Sequence, residues 1–260
     1  MKTILTLLVC FSIGCYQLQA QTTFQPRKQS TKKGFVYDKE VSSDFRLQTN
    51  GWSVGMNWGN LVNYYTTRYY YVDFGERKHL RELMINPGIG QNSYTYGKQN
   101  NLFAVRGGIG EKRYFTEKAA TKKGVAIGVS YRLGPTLGLL KPYQLEIGIS
   151  ESPVNNNVRT ITYSEETARE FLNENQIIDN AGFFRGWNQV RPRIGGHAMG
   201  AMHISWGAFE DHVRAVDAGV MIDFFVGSVP ILVETADTPA NQNTPLFVNL
   251  FLNFQLGKRK

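Results

Sequence analysis

The 260-residue chain carries 29 lysines and arginines against 21 acidic residues, a formal net charge of +8, and 13% of its residues are aromatic. Its two cysteines, Cys10 and Cys15, both lie within the first 20 residues. If that segment is removed, the remaining chain has no disulfide, no thiolate nucleophile and no cysteine metal site. About 240 residues then remain, which fit one large domain.

The first 20 residues have the features of a cleaved export signal. Lys2 gives a positive start, residues 4–13 form an apolar or hydroxyl run, and Ala20 precedes Gln21 as a small-residue cleavage site. The run is too short for a membrane-spanning helix, which needs roughly 20 residues. Cys15 leaves a lipoprotein signal as the alternative. Export argues against a nucleic-acid partner, and the charge of the mature chain, which loses one lysine and no acid, indicates anionic partners such as lipopolysaccharide.

Residues 21–43 are polar and basic, and we predict a periplasmic leader there. From residue 44 to residue 260, apolar and polar residues alternate with a period of two, which is typical of β-strands. Most stretches approach the roughly 9–11 residues that a tilted membrane strand needs. The predicted strands cover residues 52–58, 68–77, 103–112, 124–133, 142–150, 191–206, 216–226 and 246–256.

The polar face of these strands favours a barrel over a water-soluble sandwich, which stays the alternative. It consists mostly of small residues with sparse charges, which suit a narrow lumen, and aromatic residues gather near strand ends as in the girdles of membrane barrels. We therefore predict an all-β protein, a single antiparallel transmembrane barrel of about eight strands with a closed lumen filled by side chains. The predicted girdle residues are Trp52, Trp58, Tyr64, Tyr65, Tyr69, Tyr70, Tyr71, Trp206 and Phe209.

The lengths of the connections predict that both termini are periplasmic and that loop 151–189 is extracellular. One connection disagrees, because segment 79–101 is long yet falls on the periplasmic side, which leaves ten strands as the alternative. Within the long loop, Thr162 and Glu165 have the spacing of a capping box. We expect a short helix there that covers the barrel mouth or docks a partner.

Three short stretches resemble small outer-membrane barrel proteins of Bacteroidota: residues 97–101 (GKQNN), residues 133–142 (LGPTLGLLKP) and the basic end, residues 257–260. The junction between Ala20 and Gln21 is similar to export signals of that group. The resemblance implies a fold and a location in the bacterial outer membrane, and it implies no activity. Many such barrels end on Phe, whereas here six residues follow Phe254.

Several charged residues fall on the inward face of the predicted strands. Buried charges must be paired to be tolerated, so we predict a network of ion pairs that plugs the lumen, with an ion path or a small pocket as the alternative. The predicted network consists of Arg106, Arg132, Glu146, Arg191, Arg193, Asp217 and Asp223.

One motif points to hydrolysis. His203 and Ser205 resemble the His-x-Ser pair of outer-membrane lipid A deacylases, in which the histidine takes the proton of an attacking serine. The residues around the pair differ from that family, and the alternation turns both side chains away from lipid. We predict no metal site, because His197 and His203 lie roughly 20 Å apart along one strand, and no cofactor.

The sequence thus predicts a non-enzymatic outer-membrane barrel that serves as a structural or accessory component of an envelope assembly. Outer-membrane lipids and lipopolysaccharide are its expected partners, with a protein partner at loop 151–189 or segment 79–101. A lipid A-modifying acyl hydrolase and a narrow channel are the alternative functions. On the barrel we expect Lys to be harmful at Leu250, and small polar changes to be tolerated at Gly219.

Overall fold

The computed structural model describes residues 37–63, 65–86, 93–115, 125–149, 157–206, 211–234 and 243–260. The predictions of an export signal and of a lipidated Cys15 lie outside these residues, as do the girdle positions Tyr64 and Phe209. The strands are β1 (Lys39–Gln48), β2 (Gly51–Asn63), β3 (Thr66–Arg77), β4 (Leu83–Ile85), β5 (Tyr94–Tyr96), β6 (Asn100–Tyr114), β7 (Ala126–Pro142), β8 (Gln144–Ile149), β9 (Asn157–Thr162), β10 (Ile177–Asn180), β11 (Arg191–Ser205), β12 (His212–Phe225) and β13 (Leu246–Arg259). Two helical turns accompany them, α1 (Ala168–Phe171) and a 3-10 turn at Trp187–Gln189.

Eight of these strands close into an antiparallel barrel in the order β1-β13-β12-β11-β7-β6-β3-β2. The barrel closes where β1 pairs with β13, for example Phe45 with Phe254. The predicted fold class and the number of eight barrel strands are therefore confirmed. A closed barrel has no free edge, so its strands satisfy one another's backbone hydrogen bonds.

The identity of one barrel strand differs from the prediction. Residues 39–43, assigned to the leader, belong to β1, whereas the predicted strand 142–150 corresponds mainly to β8, which lies outside the barrel. β8 forms a separate three-stranded sheet with β9 and β10. The extra hairpin suspected in segment 79–101 exists as β4 and β5, but it also pairs outside the barrel.

Side chains alternate between the outside and the lumen along every barrel strand. On β1, Val41, Phe45 and Leu47 are exposed, whereas Asp44 and Arg46 between them are buried. On β13 the outward residues are Leu246, Val248, Leu250, Leu252, Phe254 and Leu256. The predicted facing is correct for most residues of the barrel strands, but Tyr69 and Tyr71, expected in the aromatic girdle, point into the lumen, and only Tyr70 between them is exposed.

The connections differ strongly between the two ends of the barrel. The end that holds the start of β1 and the finish of β13, here called the terminal end, has the connections 64–65, 115–125 and 206–211. The opposite end, the long-loop end, has the connections 49–50, 78–99, 143–190 and 226–245. With β1 included, segment 79–101 thus moves to the same end as loop 151–189.

A small folded layer, the cap, stands at the long-loop end. It comprises the hairpin β4–β5, the sheet β8–β10, α1 and Val233. Their shared apolar core consists of the buried residues Tyr94, Leu145, Ile147, Ile161, Phe171, Ile177 and Val233. The Tyr96 hydroxyl donates to Leu172 O at 3.0 Å, which ties the hairpin to α1. The Thr95 amide donates to the Tyr143 hydroxyl at 3.1 Å. Burial raises the pKa of the Tyr143 phenol, so that it stays neutral.

The helix predicted after Thr162 is a single turn. Its N-cap is Thr167, whose hydroxyl donates to Thr162 O at 2.8 Å, so Thr162 acts through its carbonyl and the expected capping box does not form. At the other extreme of the chain, the basic residues after Phe254 continue β13 as far as Arg259. No helix in the described part of the chain is long and apolar enough to cross a membrane.

Candidate functional site

The lumen next to the long-loop end holds a chain of buried ion pairs. Asp73 accepts from Arg46 at 3.1 Å and from Arg106 at 3.0 Å, and Arg106 also reaches Asp223 at 2.7 Å. Arg77 pairs with the second oxygen of Asp223. All five side chains are 1% exposed. Arginines and aspartates alternate along this chain of pairs, so each of the two carboxylates contacts two guanidinium groups.

Two further groups of pairs continue the network toward the terminal end. Arg132 lies 2.6 Å from Asp44 and donates to the Tyr69 hydroxyl at 3.0 Å. Glu40 pairs with Lys112 at 2.7 Å and with Arg259 at 2.9 Å. We call these residues, together with the buried Asp217 of β12, the luminal network. Its charged members are Glu40, Asp44, Arg46, Asp73, Arg77, Arg106, Lys112, Arg132, Asp217, Asp223 and Arg259.

Two histidines complete the polar filling of the lumen. His197 contacts the Tyr71 hydroxyl through one ring nitrogen and the Thr136 hydroxyl through the other, at 2.7 Å for Thr136. His203 contacts Asp217 and, at 3.1 Å, the Tyr114 hydroxyl. Both rings are therefore held at two points: His197 connects β11 to β7 and β3, and His203 connects β11 to β12 and β6.

An apolar plug closes the lumen at the long-loop end. Residues 229–232 cross the mouth, and the Gln99 amide donates to Ile231 O at 2.8 Å. Their side chains pack on inward-facing residues of the barrel, so that the plug consists of Leu102, Leu140, Phe225, Val229, Ile231 and Leu232, each at most 6% exposed. An apolar layer therefore covers the charged layer.

The structure brings together four of the seven residues predicted for the network: Arg106, Arg132, Asp217 and Asp223. Glu146 is an error, because it belongs to β8 in the cap and pairs there with Arg185 at 3.4 Å. Arg191 is also misplaced, since it is exposed at the start of β11. Arg193 is half-buried, and its Nε has no hydrogen-bond partner among the described residues.

Several members of the luminal network were missed by sequence reasoning. Glu40, Asp44 and Arg46 lie on β1, which was assigned in part to a leader, and Arg259 lies in the supposed basic extension. The signal that could have found them is the alternation of Val41, Phe45 and Leu47 with charged residues.

The geometry around Ser205 does not form a catalytic triad. Ser205 is fully buried in the lumen, and its hydroxyl is 3.5 Å from Arg214 O. Both nitrogens of His203 are engaged by Asp217 and Tyr114 instead of the serine. Within the described residues, no group of three or more His, Cys, Asp or Glu side chains could hold a metal ion.

No protein-family model and no curated protein sequence matches the chain. Among solved structures, it is similar to Neisserial surface protein A (9% identity, TM-score 0.38, 86% of this chain and 97% of that one). It is similar to the N-terminal β-barrel domain of Pseudomonas aeruginosa OprF (8%, 0.34, 86% and 98%) and to a major outer membrane protein from Thermus thermophilus (9%, 0.42, 87% and 100%).

Proposed function

We propose that this chain is an integral barrel of the bacterial outer membrane, closed to solutes and non-enzymatic, that serves as a structural or accessory component of an envelope assembly. One observation carries the proposal: around a closed barrel, most exposed outward side chains are apolar, whereas the charged residues of the luminal network are buried inside and paired. In water this wall would expose an apolar surface far larger than the patches of soluble monomers. In a bilayer both faces are satisfied.

The connections support an orientation. Outer-membrane barrels have short periplasmic turns and longer extracellular loops. Three of the four connections at the long-loop end have 20 or more residues, and the longest at the terminal end is 115–125. We therefore place the terminal end in the periplasm and the cap outside the cell.

The lumen supports a closed barrel over the alternative of a narrow channel. Eight strands leave an interior just wide enough for side chains. Here the luminal network fills that interior and the apolar plug covers it. An ion crossing the barrel would have to separate buried pairs, which is costly in a medium of low dielectric constant.

The cap supports a protein partner at segment 79–101. Leu80, Leu83 and Met84 are 75%, 69% and 69% exposed at the β4–β5 hairpin. Neighbouring exposed apolar side chains are typical of interaction surfaces. The ion pair of Lys98 and Glu82, which lie 2.9 Å apart on the two sides of the hairpin, closes its base and limits how far these residues can move.

Two measurements test the proposal. Membrane fractionation should recover the protein in the outer membrane, and the purified protein in planar bilayers should give no conductance steps, with a 16-stranded porin as the conducting control. Recovery in the soluble periplasm would contradict the location. Reproducible channels would contradict the closed lumen and favour the narrow channel.

A further inference from the structure

A short aromatic segment lies against the outer wall of the barrel at the long-loop end. Residues 182–187, here called the aromatic arm, belong to the connection between β10 of the cap and β11. The rings of Phe183 and Trp187 pack on Phe103 with centroids 5.9 and 5.3 Å away. Phe103 follows the plug residue Leu102 on β6 and therefore occupies an outward position, where it is only 2% exposed. The arm thus covers the outside of the barrel rather than its mouth.

Local structure fixes the shape of the arm. Gly182 and Gly186 both have a φ of 84°, in the left-handed region that glycine adopts without strain. The Trp187 indole N–H donates to Phe183 O at 3.1 Å, which closes the turn between the two glycines. The ammonium of Lys141, on the barrel wall, donates to the same carbonyl oxygen. The arm is therefore a closed turn that is attached to the wall.

The aromatic rings of the arm lead away from the wall. The Phe183 ring covers Phe103, and the Phe184 ring packs on Phe183 with centroids 5.5 Å apart. Phe184, at the outer end of this series, is 87% exposed. The next side chain, Arg185, reaches back to the cap, where its guanidinium donates to Thr160 Oγ1 of β9 at 2.7 Å. The arm thus presents an aromatic ring on its outer side and keeps its charged group on the cap.

Two charged levels bound the outer wall of β3 and β6. Near the terminal end, Arg68 lies opposite Glu111 and pairs with it at 2.9 Å. Near the long-loop end, Glu76 lies opposite Phe103. Arg68 and Glu76 are about 27 Å apart along β3 at about 3.4 Å per residue. At a strand tilt of about 40° this is about 20 Å along the barrel axis, close to the apolar band of about 25 Å in membrane barrels.

The wall between these levels is apolar, and the arm lies at its long-loop edge. Val72, Ile109 and Leu133 point outward from β3, β6 and β7 and are 49%, 60% and 60% exposed. At the level of Glu76, the Trp52 indole N–H donates to the Glu76 carboxylate at 3.3 Å. Aromatic side chains gather where acyl chains meet lipid headgroups. The arm is attached at this same level, so its outer ring continues the apolar wall.

We infer that the aromatic arm is a lipid-contacting element of the long extracellular loop, with the Phe184 ring inserted among the upper acyl chains of the outer leaflet. In water, the ring would remain hydrated at high cost, whereas the upper acyl region buries it beside the apolar wall. The arm would thereby attach the cap to the membrane surface at a point outside the barrel strands. The inference rests on the proposed function, because it needs the wall of β3, β6 and β7 in lipid.

The test is fluorescence quenching of the full chain in phosphatidylcholine nanodiscs, with Cys10 and Cys15 first replaced by serine. A nitrobenzoxadiazole label is attached to one new cysteine at a time, in Phe184→Cys, in Leu133→Cys on the wall and in Leu83→Cys on the cap hairpin. Each replaced side chain is 60% or more exposed, so the substitutions remove little packing. The three sites carry the same label, so its own affinity for lipid acts equally at each.

Lipid with a nitroxide on the upper acyl chain should quench the label at positions 184 and 133, whereas aqueous iodide should quench the label at position 83. The emission at position 184 should also lie at a shorter wavelength than the emission at position 83. Both results are expected because only the arm and the wall place the label in an apolar medium.

Three results would overturn the inference. Iodide quenching at position 184 together with nitroxide quenching at position 133 would place the arm in water and leave the proposed function standing. Protection of position 184 from both quenchers would mean that protein, such as a second copy of the chain, covers the arm. Equal nitroxide quenching at positions 83 and 184 would mean that the whole cap lies on lipid. Failure of the proposed function appears separately, as iodide quenching at position 133.

Discussion

At the scale of single residues, the two luminal aspartates of β12 have different partners. Asp223 accepts from two arginines, Arg77 and Arg106, whereas Asp217 meets His203 and the Asn253 amide, which donates at 2.9 Å. Loss of a buried carboxylate leaves its cations uncompensated. The cation that depends most on Asp223 is Arg77, whose Nε and Nη1 have no hydrogen-bond partner among the described residues.

We therefore expect Asp223→Ala to lower the free energy of unfolding by about 3–5 kcal/mol, and by more than Asp217→Ala. Urea unfolding in lipid vesicles, followed by tryptophan fluorescence, measures the difference. The matched control is Glu146→Ala, which removes a carboxylate whose pair with Arg185 is partly exposed, and should change stability by at most about 1 kcal/mol. Equal losses in all three variants would contradict a network that depends on burial.

Gly219 shows a residue-scale effect that alternation does not predict. A Cβ atom at Gly219 would lie 2.1 Å from Gly200 O and 2.6 Å from Ala201 Cα on the neighbouring strand. These are backbone atoms, which cannot move aside as a flexible side chain can. The expectation that small polar residues are tolerated at Gly219 is therefore wrong, and the reason is the close approach of two strands.

At the scale of elements, β1 decides whether the barrel closes. It pairs with β13 on one side and β2 on the other, so both of its edges are used. Its inward residues carry Glu40, Asp44 and Arg46 into the luminal network. β1 therefore provides the pairing with β13 that closes the barrel and three of the charged residues of the luminal network.

Proline in the middle of β1 tests this role. Ser43 is exposed on the outer face, so its side chain can be replaced, but proline removes a backbone donor inside a closed ladder. We expect Ser43→Pro to abolish the heat-modifiable folded band on a gel, and Ser43→Ala to keep it. If Ser43→Pro folds like wild type, residues 39–43 would be the leader that the sequence had indicated.

At the scale of the whole molecule, the outer wall of the barrel and the cap would lie in different surroundings, lipid for the wall and water for the cap. Leu250 on the barrel wall and Leu83 on the cap hairpin are the same residue type with nearly the same exposure, 65% and 69%. Their local contacts with the protein are therefore similar in extent. Only the proposed solvent differs, since Leu250 would face lipid and Leu83 would face water.

The matched pair Leu250→Lys and Leu83→Lys separates a membrane barrel from a soluble one. Near the bilayer midplane, Leu250→Lys should reduce stability by roughly 2–4 kcal/mol, while Leu83→Lys should have an effect close to zero. Urea unfolding in vesicles gives both values. A barrel that keeps its wild-type stability in both variants would be a water-soluble protein, the alternative left by the sequence.

The sequence by itself determined the fold class and the facing of most side chains. Its count of eight barrel strands agrees with the structure, although segment 142–150 was counted in the place of β1. The reason for the correct facing is that successive side chains of a strand point to opposite faces. The alternation from Leu246 to Leu256 therefore shows which face each residue occupies, and no knowledge of the neighbouring strands is needed. The same property placed Arg106, Arg132, Asp217 and Asp223 on the inner face before any partner was known.

Only the tertiary structure decided which alternating segments join the barrel and which charges pair. β8 alternates as regularly as a barrel strand, yet Leu145 and Ile147 are buried in the cap, so Glu146 on its opposite face never enters the lumen. β1 reads as polar because Ser43 interrupts its outward face and its inward residues are charged. The alternation of side chains shows which residues share a face of a strand, but it does not show which strands are neighbours. The neighbours depend on how the sheet closes, and closure brings together residues as distant in sequence as Glu40 and Arg259.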